Sequence, residues 1–249
     1  MNPIILIPAR MASTRLPDKP MALIDGEPMI VQVWRRAVEA NVGRVVVACD
    51  SAKIADAVRT AGGEAVLTDP NLPSGSDRIH AALQDVDPQK KHDVVINVQG
   101  DMPTLDPAII RQLTELMKNS SIDIGTVAAP FQDDSERTNQ AAVKALVALQ
   151  PNETIGRAVD FNRENAPKND TGPNGERILH HGGLYGYKRS VLEEFVAQPP
   201  SKNELSRKLE QMRAMDNGKS IYVLVVPEVP LGVDTPETLE IARKEIRKI

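Results

Sequence analysis

Three cationic side chains lie close together near the start of the chain. Arg10, Arg15 and Lys19 fall within ten positions of the segment IPARMASTRLPDKP, where Pro17 and Pro20 restrict the backbone. Arginine binds phosphate oxygens with a planar set of donors and lysine adds a compact charge, so the segment is suited to a polyphosphate. The alternative is a solvated loop whose cations balance nearby acids. The position of the loop, directly after an apolar run, favours the phosphate interpretation.

Composition excludes several classes of function. The chain has 249 residues, 41% of them hydrophobic, and a net charge of −4, which argues against a general nucleic-acid or membrane-surface binder. Its single cysteine, Cys49, excludes an intrachain disulfide framework and fits a reducing cytosol. We find neither a signal-peptide pattern nor eighteen consecutive apolar residues. We therefore expect a soluble, cytoplasmic protein with no membrane insertion and no nucleic-acid partner.

The first half of the chain alternates apolar runs with amphipathic segments. This pattern predicts a mainly parallel sheet covered by helices on both faces. The predicted strands are Ile4–Ile7, Arg44–Asp50, Glu64–Thr68 and Asp93–Asp101, and the predicted helices are Met29–Ala40, Ser51–Ala61 and Asp77–Val86. Ligands of such sheets lie beyond the carboxyl ends of the strands, which selects Pro8 onward, Thr68–Arg78 and Gln99–Pro103.

The second half is less regular. Helices are predicted at Pro107–Lys118, Ser190–Ala197, Glu204–Met215 and Pro236–Lys248, and strands near Ile124–Ala129, Val143–Leu149, Gly183–Tyr187 and Ile221–Val226. The polar stretch Asn162–Arg177 contains two prolines and two glycines and is predicted to be an exposed, mobile loop. No composition shift marks an independent second domain, so we expect a single domain over residues 1–249.

The two commonest nucleotide-binding loops, GxxxxGK[ST] and GxGxxG, are missing. The chain instead carries IPARMASTRLPDKP, SGSDRI, NVQGDMP, HGGLYGYK, LEQMR and GVDTPE, in that order. With these six motifs it resembles the 3-deoxy-manno-octulosonate cytidylyltransferase family.

The resemblance implies a glycosyltransferase-A-like (Rossmann-like) α/β fold and a homodimer. It implies a nucleotide-binding part of about residues 1–130, and sugar-binding and dimerisation elements in a smaller C-terminal α/β portion of about residues 131–249. The implied reaction joins CTP and 3-deoxy-D-manno-octulosonate (Kdo) to give CMP-Kdo and diphosphate, with Mg²⁺ as cofactor, for lipopolysaccharide biosynthesis.

The resemblance also assigns site residues. The implied catalytic residues are Arg10, Arg15, Lys19, Asp101 and Asp234. The implied nucleotide-binding residues are Pro8, Ala9, Arg10, Ser13, Arg15, Lys19, Ser74, Gly75, Ser76 and Asp101. Sugar binding is implied for Arg78, Gln99, His181, Tyr185, Glu210 and Gln211, and metal binding for Asp101 and Asp234.

Most of these residues also have an ordinary structural interpretation. Asp101 fits a turn after a strand, and Asp234 fits a helix N-cap before Pro236. A histidine near a strand is commonly structural, Tyr185 fits a sheet aromatic, and Glu210 and Gln211 fit the solvated face of a helix.

Two positions depart from the family pattern. Met102 stands where glutamate is common, and a thioether is a poor magnesium ligand, so this residue adds no carboxylate to the metal. Ser76 replaces the usual threonine and keeps the hydroxyl. Neither departure removes an implied metal ligand.

The sequence does not identify a general base. His180 and His181 are candidates by their chemistry, whereas a metal-held sugar hydroxyl would make a dedicated base unnecessary. Cys49 follows a valine run and is interpreted as a small buried hydrophobe rather than a nucleophile.

Three alternatives to the implied function are considered. A cytidylyltransferase for 8-amino-Kdo or a sialic-type acid would use the same motifs. A nucleotide-sugar-dependent glycosyltransferase is possible on the same fold, although such enzymes often carry D-x-D where this chain has GDMP. A non-catalytic nucleotide sensor should have lost some of the implied catalytic residues, and all five are present.

Overall fold

The computed structural model describes residues 1–150 and 152–248; Pro151 and Ile249 lie inside the predicted domain but outside the described residues. The strands, in chain order, are β1 (Pro3–Ala9), β2 (Leu23–Ile24), β3 (Glu27–Pro28), β4 (Arg44–Cys49), β5 (Glu64–Leu67), β6 (Val94–Asn97), β7 (Ile124–Ala129), β8 (Lys144–Ala148), β9 (Ile155–Asn162), β10 (Arg177–Lys188) and β11 (Ile221–Val225). The α-helices are α1 (Met29–Glu39), α2 (Ala52–Thr60), α3 (Gly75–Val86), α4 (Pro107–Leu116), α5 (Asp134–Thr138), α6 (Arg189–Ala197), α7 (Lys202–Arg207), α8 (Gln211–Asp216) and α9 (Pro236–Ile246). A 3₁₀ turn covers Lys19–Met21.

The chain forms two compact units. The first unit contains Met1–Thr114 and the described residues from Pro230 onward, and the second contains Glu115–Val229. The predicted boundary near residue 130 therefore differs from the observed one, and the C-terminal segment does not stay with the second part.

The first unit is built on a parallel sheet. Its strands lie in the order β5-β4-β1-β6, and each neighbouring pair is parallel, as the apolar runs predict. The side chains of Ile4–Ile7 in β1 are completely buried, because both edges of this central strand are paired and helices α1 and α3 pack against it. The carboxyl ends of β1 and β6 consequently lie next to each other.

Helix α9 belongs to the first unit for a packing reason. Leu239 and Ala242 on its inner face join Ile24, Met29 and Val233 in one buried apolar cluster. The helix begins at a capping box in which the Thr235 side chain accepts a hydrogen bond from the backbone N–H of Thr238. This docking brings the segment before α9, which includes Asp234, back to the first unit.

The second unit has a mixed and mostly antiparallel sheet. The strand order is β10-β7-β11-β9-β8. The last strand, β8, also pairs with the first, β10, so these five strands form a closed ring of pairings. Only the β7–β11 pair is parallel among these strands. The predicted mainly parallel arrangement thus holds for the first unit and not for the second.

Two local predictions for the second unit need correction, and the predicted exposure of a third segment is confirmed. Strand β9 was not predicted, and the single helix expected over Glu204–Met215 is two helices, α7 and α8, because Lys208 adopts a left-handed conformation with φ 55° and ends α7. The segment predicted as a loop over Asn162–Arg177 is largely exposed, but the Arg137 guanidinium binds both carboxylate oxygens of Asp170 at 2.9 and 2.8 Å. This bidentate pair anchors the middle of the segment.

Two further expectations concern Cys49 and membrane insertion. Cys49 is completely buried at the end of β4, as the valine run predicts, and burial raises the pKa of its thiol. None of the helices in the described part of the chain has both the length and the apolar character that a membrane crossing requires.

Candidate active site

A cavity of about 730 Å³ opens in the first unit where β1 and β6 end and α3 begins. Of the residues implied to bind nucleotide, those that line it are Pro8, Ala9, Arg10, Ser13, Arg15, Lys19, Ser74, Gly75 and Asp101. Asp234 lines it as well. Ser76 does not, since its side chain is buried at the first turn of α3. The parallel sheet therefore places the cationic loop and Asp101 at the edge that the topology rule selects, and the segment before α9 adds Asp234 to the same space.

The floor of the cavity depends on a close backbone approach. A Cβ atom on Gly100 would lie 2.6 Å from the carbonyl oxygen of Pro8, so the loop after β6 can approach the end of β1 only with glycine at this position. The backbone N–H of Val233 donates to the carbonyl oxygen of Asp101 at 2.8 Å and fixes the segment that carries Asp234 beside the same loop.

Helix α3 points its N-terminus at the cavity. The Ser74 hydroxyl caps it by accepting a hydrogen bond from the backbone N–H of Asp77 at 3.1 Å, and both Ser74 and Gly75 line the cavity. The start of a helix carries unpaired N–H groups and a partial positive charge, which favours an anion there.

The cationic loop is tied down by an acid that the sequence did not single out. The backbone N–H of Met11 donates to Oδ1 of Asp50 at 3.0 Å, and Asp50 directly follows β4. Its position at the carboxyl end of a predicted strand was the feature of the sequence that could have identified Asp50 as a site residue. This hydrogen bond holds the start of the loop against the neighbouring strand.

A network of ion pairs forms the charged centre of the site. The Lys19 ammonium lies 2.6 Å from Oδ2 of Asp101 and 2.8 Å from Oδ1 of Asp234, and the Arg15 guanidinium lies 2.9 Å from Oδ2 of Asp234. Exposure of the side chains rises outward, from 17% for Lys19 to 60% for Arg15. The inner pair is thus enclosed, whereas Arg15 reaches into water.

The network shifts the titration of its members. Burial alone would lower the pKa of Lys19, but the charges and hydrogen bonds of Asp101 and Asp234 outweigh it and raise that pKa. Burial alone would raise the pKa of Asp234, but its contacts with Lys19 and Arg15 prevail and lower it. Both groups are therefore firmly charged near neutral pH.

Asp234 is not a helix cap, which corrects the ordinary interpretation of its spacing. Thr235 occupies the N-cap position of α9, with Pro236 in the first turn. The carboxylate of Asp234 binds Lys19 and Arg15 instead. The side chain therefore faces the cavity.

The two acids suit a hard divalent cation. One oxygen from each carboxylate already lies within hydrogen-bonding distance of the same ammonium nitrogen, so both point at one positive charge. Magnesium typically takes one or two protein carboxylates together with water and substrate oxygens. Within residues 1–150 and 152–248 no group of three or more His, Cys, Asp or Glu side chains gathers as a metal cluster, which is compatible with a two-carboxylate site.

Two residues implied to bind sugar lie at the same cavity. Arg78 and Gln99 line it. The buried Arg78 guanidinium donates to the Thr68 hydroxyl at 2.6 Å and to the carbonyl oxygen of Asp69 at 3.3 Å. These bonds fix the guanidinium on α3 beside the end of β5.

The other four residues implied to bind sugar lie in the second unit. The rings of His181 and Tyr185 on β10 are 5.4 Å apart, and burial, followed by the neighbouring Tyr187 and Glu210, holds the pKa of Tyr185 well above its usual range. Gln211 is buried at the start of α8, so the solvated-face interpretation is wrong for it, and Glu210 immediately precedes it. Tyr185 therefore lies close to both His181 and Glu210 within this unit.

His181 has a closely defined environment. Its Nε2 lies 2.9 Å from the hydroxyl oxygen of Thr126 on β7, and the ring of Phe161 on β9 contacts it edge-on at a centroid distance of 5.1 Å. Burial, with a smaller effect of His180, lowers the pKa of His181 to about 3, so its imidazole is neutral near pH 7. Sequence reasoning did not identify Thr126, because nothing in the segment TVAA distinguishes it from other strand residues.

His180, the second candidate base, points to a different partner. Its Nδ1 lies 3.2 Å from Oε2 of Glu136, and its ring stacks on Phe131 at a centroid distance of 6.3 Å. These contacts give His180 a structural environment beside α5.

Comparison with known proteins gives consistent matches. A family model described as cytidylyltransferase matches residues 4–221. A 3-deoxy-manno-octulosonate cytidylyltransferase of Parvibaculum lavamentivorans is 56% identical over 99% of this chain and 93% of its own length. One of Paramagnetospirillum magneticum with the same name is 51% identical over 98% of this chain and 97% of its own length.

Solved structures agree with these matches. The structure of a CMP:2-keto-3-deoxy-manno-octonic acid synthetase complexed with CTP superposes with a TM-score of 0.86, at 32% identity, and covers 100% of this chain and 99% of the other. A cytidylyltransferase from Leptospira borgpetersenii has a TM-score of 0.61 at 18% identity, with 100% of this chain and 88% of the other covered, and shares the fold.

Proposed function

The chain belongs to the cytidylyltransferase family, and from this premise we propose that it transfers the cytidylyl group of CTP to Kdo, which yields CMP-Kdo and diphosphate for lipopolysaccharide biosynthesis. The observation that carries the proposal is the cavity of the first unit, where Arg10, Arg15 and Lys19 meet Asp101 and Asp234. The relatives with this named activity extend over nearly the whole chain.

The transfer is an in-line displacement at phosphorus. The anomeric hydroxyl oxygen of the sugar forms a bond to the α-phosphorus, the bond from that phosphorus to the bridging oxygen breaks, and diphosphate leaves while the hydroxyl proton passes to solvent. Such a reaction is accelerated mainly by positioning and charge neutralisation. Arg10, Arg15 and Lys19 supply cationic donors, and the start of α3 adds backbone N–H groups.

Asp101 and Asp234 would hold the Mg²⁺ ion. A bound Mg²⁺ would neutralise phosphate charge and make the sugar hydroxyl a stronger nucleophile. The two carboxylates orient this part of the site, because both face one positive charge and Val233 fixes their separation through the backbone of Asp101.

His181 is poorly suited to act as a general base, because its pKa is about 3 and its Nε2 is engaged by Thr126. A base with so low a pKa accepts a proton weakly near pH 7. His180 lies beside Glu136 and does not line the cavity. These features support a reaction without a dedicated protein base.

Incubation with Mg²⁺, CTP and each of Kdo, 8-amino-Kdo and a sialic acid tests the proposal. We expect diphosphate release that depends on both CTP and the sugar, and fastest with Kdo. Release with a sialic acid in preference to Kdo would contradict the substrate assignment. No release with any acceptor, but hydrolysis or transfer from a CMP-sugar, would favour the glycosyltransferase alternative.

Three further properties are proposed on the resemblance alone. They are the glycosyltransferase-A-like class of the fold, a cytoplasmic location and a homodimer to which the second unit contributes. Sedimentation equilibrium of the purified protein tests the last, and a monomer at micromolar concentration would contradict it.

A further inference from the structure

We propose that Thr126 is a positioning residue that fixes His181 as the neutral Nε2–H tautomer, so that its Nδ1 is a hydrogen-bond acceptor for a sugar hydroxyl. The inference rests on the proposed function for the identity of its ligand. The tautomer itself follows from the hydrogen bonds of the second unit.

Strand β10 contains a bulge between His181 and Tyr185. His181 pairs with Ala128 and Tyr185 with Thr126, so four steps along β10 match only two steps along β7. Gly183, inside this bulge, has a positive φ of 67°. Leu184 lies within this register shift and is completely buried, so its carbonyl oxygen requires a hydrogen-bond donor inside the protein.

Thr126 supplies that donor. Its hydroxyl oxygen lies 2.7 Å from the Leu184 carbonyl oxygen, and both residues are completely buried. A carbonyl oxygen can only accept, so the single hydroxyl proton of Thr126 is used in this bond. The hydroxyl then has only lone pairs left for any other partner.

The other partner is Nε2 of His181, at 2.9 Å. Since the hydroxyl can only accept there, Nε2 must carry the proton and donate it. A neutral imidazole has one N–H, so Nδ1 is the acceptor nitrogen. The low pKa of His181, caused by burial, agrees with a neutral ring.

The ring is also fixed sideways. The ring of Phe161 contacts the imidazole edge-on, and the ring of Tyr185 lies at a centroid distance of 5.4 Å from it. These two contacts leave the imidazole little freedom to turn Nδ1 away. A neutral acceptor nitrogen recognises a hydroxyl donor and offers nothing to a carboxylate. His181 therefore reads the polyol part of the sugar rather than its acid group.

The tautomer is measured directly in the ligand-free protein. The chain has four histidines, so ¹⁵N labelling of histidine gives few ring signals. The His181 signal is the one that survives in His80→Gln, His92→Gln and His180→Gln. We expect a protonated Nε2 and an unprotonated Nδ1 near neutral pH. A protonated Nδ1, alone or together with Nε2, would overturn the proposal.

Addition of Kdo without CTP tests the acceptor role, with calorimetry to establish that the sugar is bound. The Nδ1 resonance should move while Nε2 keeps its proton. An Nδ1 resonance that stays fixed at saturating Kdo would overturn this part.

Kinetics give a readout that a merely structural threonine would not move. Thr126→Val removes both buried hydrogen bonds of the hydroxyl, to Leu184 and from His181, and both lie in the second unit. It should therefore raise the KM for Kdo about tenfold and leave the KM for CTP within about twofold. Thr126→Ser keeps the hydroxyl and should restore the KM. Thr114→Val is the matched control, since the buried Thr114 hydroxyl donates to the Ile110 carbonyl oxygen at 2.7 Å but is bonded to no histidine.

The outcomes separate two failures. If the parent protein releases no diphosphate from CTP and Kdo, the proposed function fails, and the ligand-free tautomer still decides the role of Thr126. If turnover is normal but Thr126→Val raises both KM values equally or neither, the positioning role is wrong.

Discussion

Two polar clusters, one in each unit, use opposite electrostatics. In the first unit, Lys19, Asp101 and Asp234 form ion pairs at a cavity that remains open to water. In the second unit, His181 and Thr126 form a buried cluster of neutral hydrogen bonds. A partly hydrated ion pair is worth little and exchanges partners easily, whereas a buried neutral network is rigid because an unpaired group there is costly.

This difference agrees with the proposed roles of the two clusters, which are phosphate and cation binding in the first unit and sugar binding in the second. A polyphosphate can replace a carboxylate as the partner of a cationic side chain, and its cation can replace that side chain as the partner of the carboxylates. A sugar is recognised mainly through hydroxyl groups, for which donor and acceptor directions must be set in advance. The function of the charged cluster should therefore be sensitive to the removal of a charge. The function of the neutral cluster should be sensitive to the loss of one correctly oriented hydrogen-bond donor or acceptor.

The largest effect is expected from neutralising the acids of the first unit. Asp101→Asn and Asp234→Asn should each reduce turnover about a hundred- to a thousandfold, which is the usual result of losing one preorganised charged group. The thermal midpoint should change far less, because asparagine preserves the shape. Steady-state kinetics at saturating CTP and Kdo measure the first quantity and calorimetry the second.

The control is Asp56→Asn, at an exposed acid of α2, which should leave turnover unchanged. The double variant should lose little more than either single one if the two acids serve one ion, since residues that act as a unit are not additive. Near-normal turnover of Asp234→Asn would remove that residue from the metal site.

A smaller effect is expected from the cation between the acids. Lys19→Met should reduce kcat/KM for CTP about ten- to a hundredfold, because a charge-assisted contact to phosphate is lost. The same change should tighten Mg²⁺ binding to the ligand-free protein, since two carboxylates lose their competing ammonium. Lys118→Met, at an exposed lysine of the second unit, serves as the charge-matched control.

Isothermal titration calorimetry with Mg²⁺ separates the two roles of Lys19. Weaker use of CTP with unchanged Mg²⁺ affinity would mean that the ammonium binds phosphate but does not compete at the acids. Unchanged CTP kinetics would remove Lys19 from the phosphate site.

The sequence predicts the first unit better than the second for a physical reason. Strands such as Ile4–Ile7 are buried on both faces and therefore leave uninterrupted apolar runs in the sequence. In β9 the buried positions include Gly156 and Ala158, whose small side chains give a weak alternation, and the strand was missed. The end of helix α7 at Lys208 depends on a positive φ angle, which the presence of a lysine does not predict.

The candidate site shows the same limit. The types and positions of Arg10, Arg15 and Lys19 predict a phosphate site in that part of the chain, whereas the metal site at Asp101 and Asp234 is predicted only through the family resemblance. The pairing of Lys19 with Asp234 joins residues 215 positions apart and exists only because α9 returns to the first unit. Thr126 could not be found either, since its role arises from a bulge in the neighbouring strand.

The neutral cluster should appear in the pH dependence of stability. The folded pKa of His181 is about 3, below its ordinary value of 6.5, so between these pH values the unfolded chain binds a proton that the native state does not. The free energy of unfolding should then fall as pH decreases through this range, by at most about 1.4 kcal/mol per pH unit from this residue.

Denaturant unfolding of the parent and His181→Gln between pH 7 and pH 4 measures this contribution as a difference in slope. The depressed pKa of Asp234 adds a slope of the same sign at lower pH, and it cancels in the comparison. Tyr185→Phe, which removes a hydroxyl from the same cluster but no group that titrates in this range, should keep the parent's slope. Equal slopes for the parent and His181→Gln would mean that the native imidazole is protonated.

The smallest effect is expected at Met102, and it decides whether two carboxylates complete the charged cluster. Met102 is buried and lies outside the cavity lining, although it directly follows Asp101. Met102→Leu should leave turnover and its Mg²⁺ dependence within about twofold, because a swap of similar volume is tolerated in a core. Met102→Glu should lower the thermal midpoint, since it forces a carboxyl group into this buried position. If its remaining activity keeps the parent's Mg²⁺ optimum, the third acid common in the family at this position does not coordinate the metal. A shifted optimum in Met102→Glu, with no shift in Met102→Leu, would instead mean that the side chain turns into the cavity and that the cation responds to three charges rather than two.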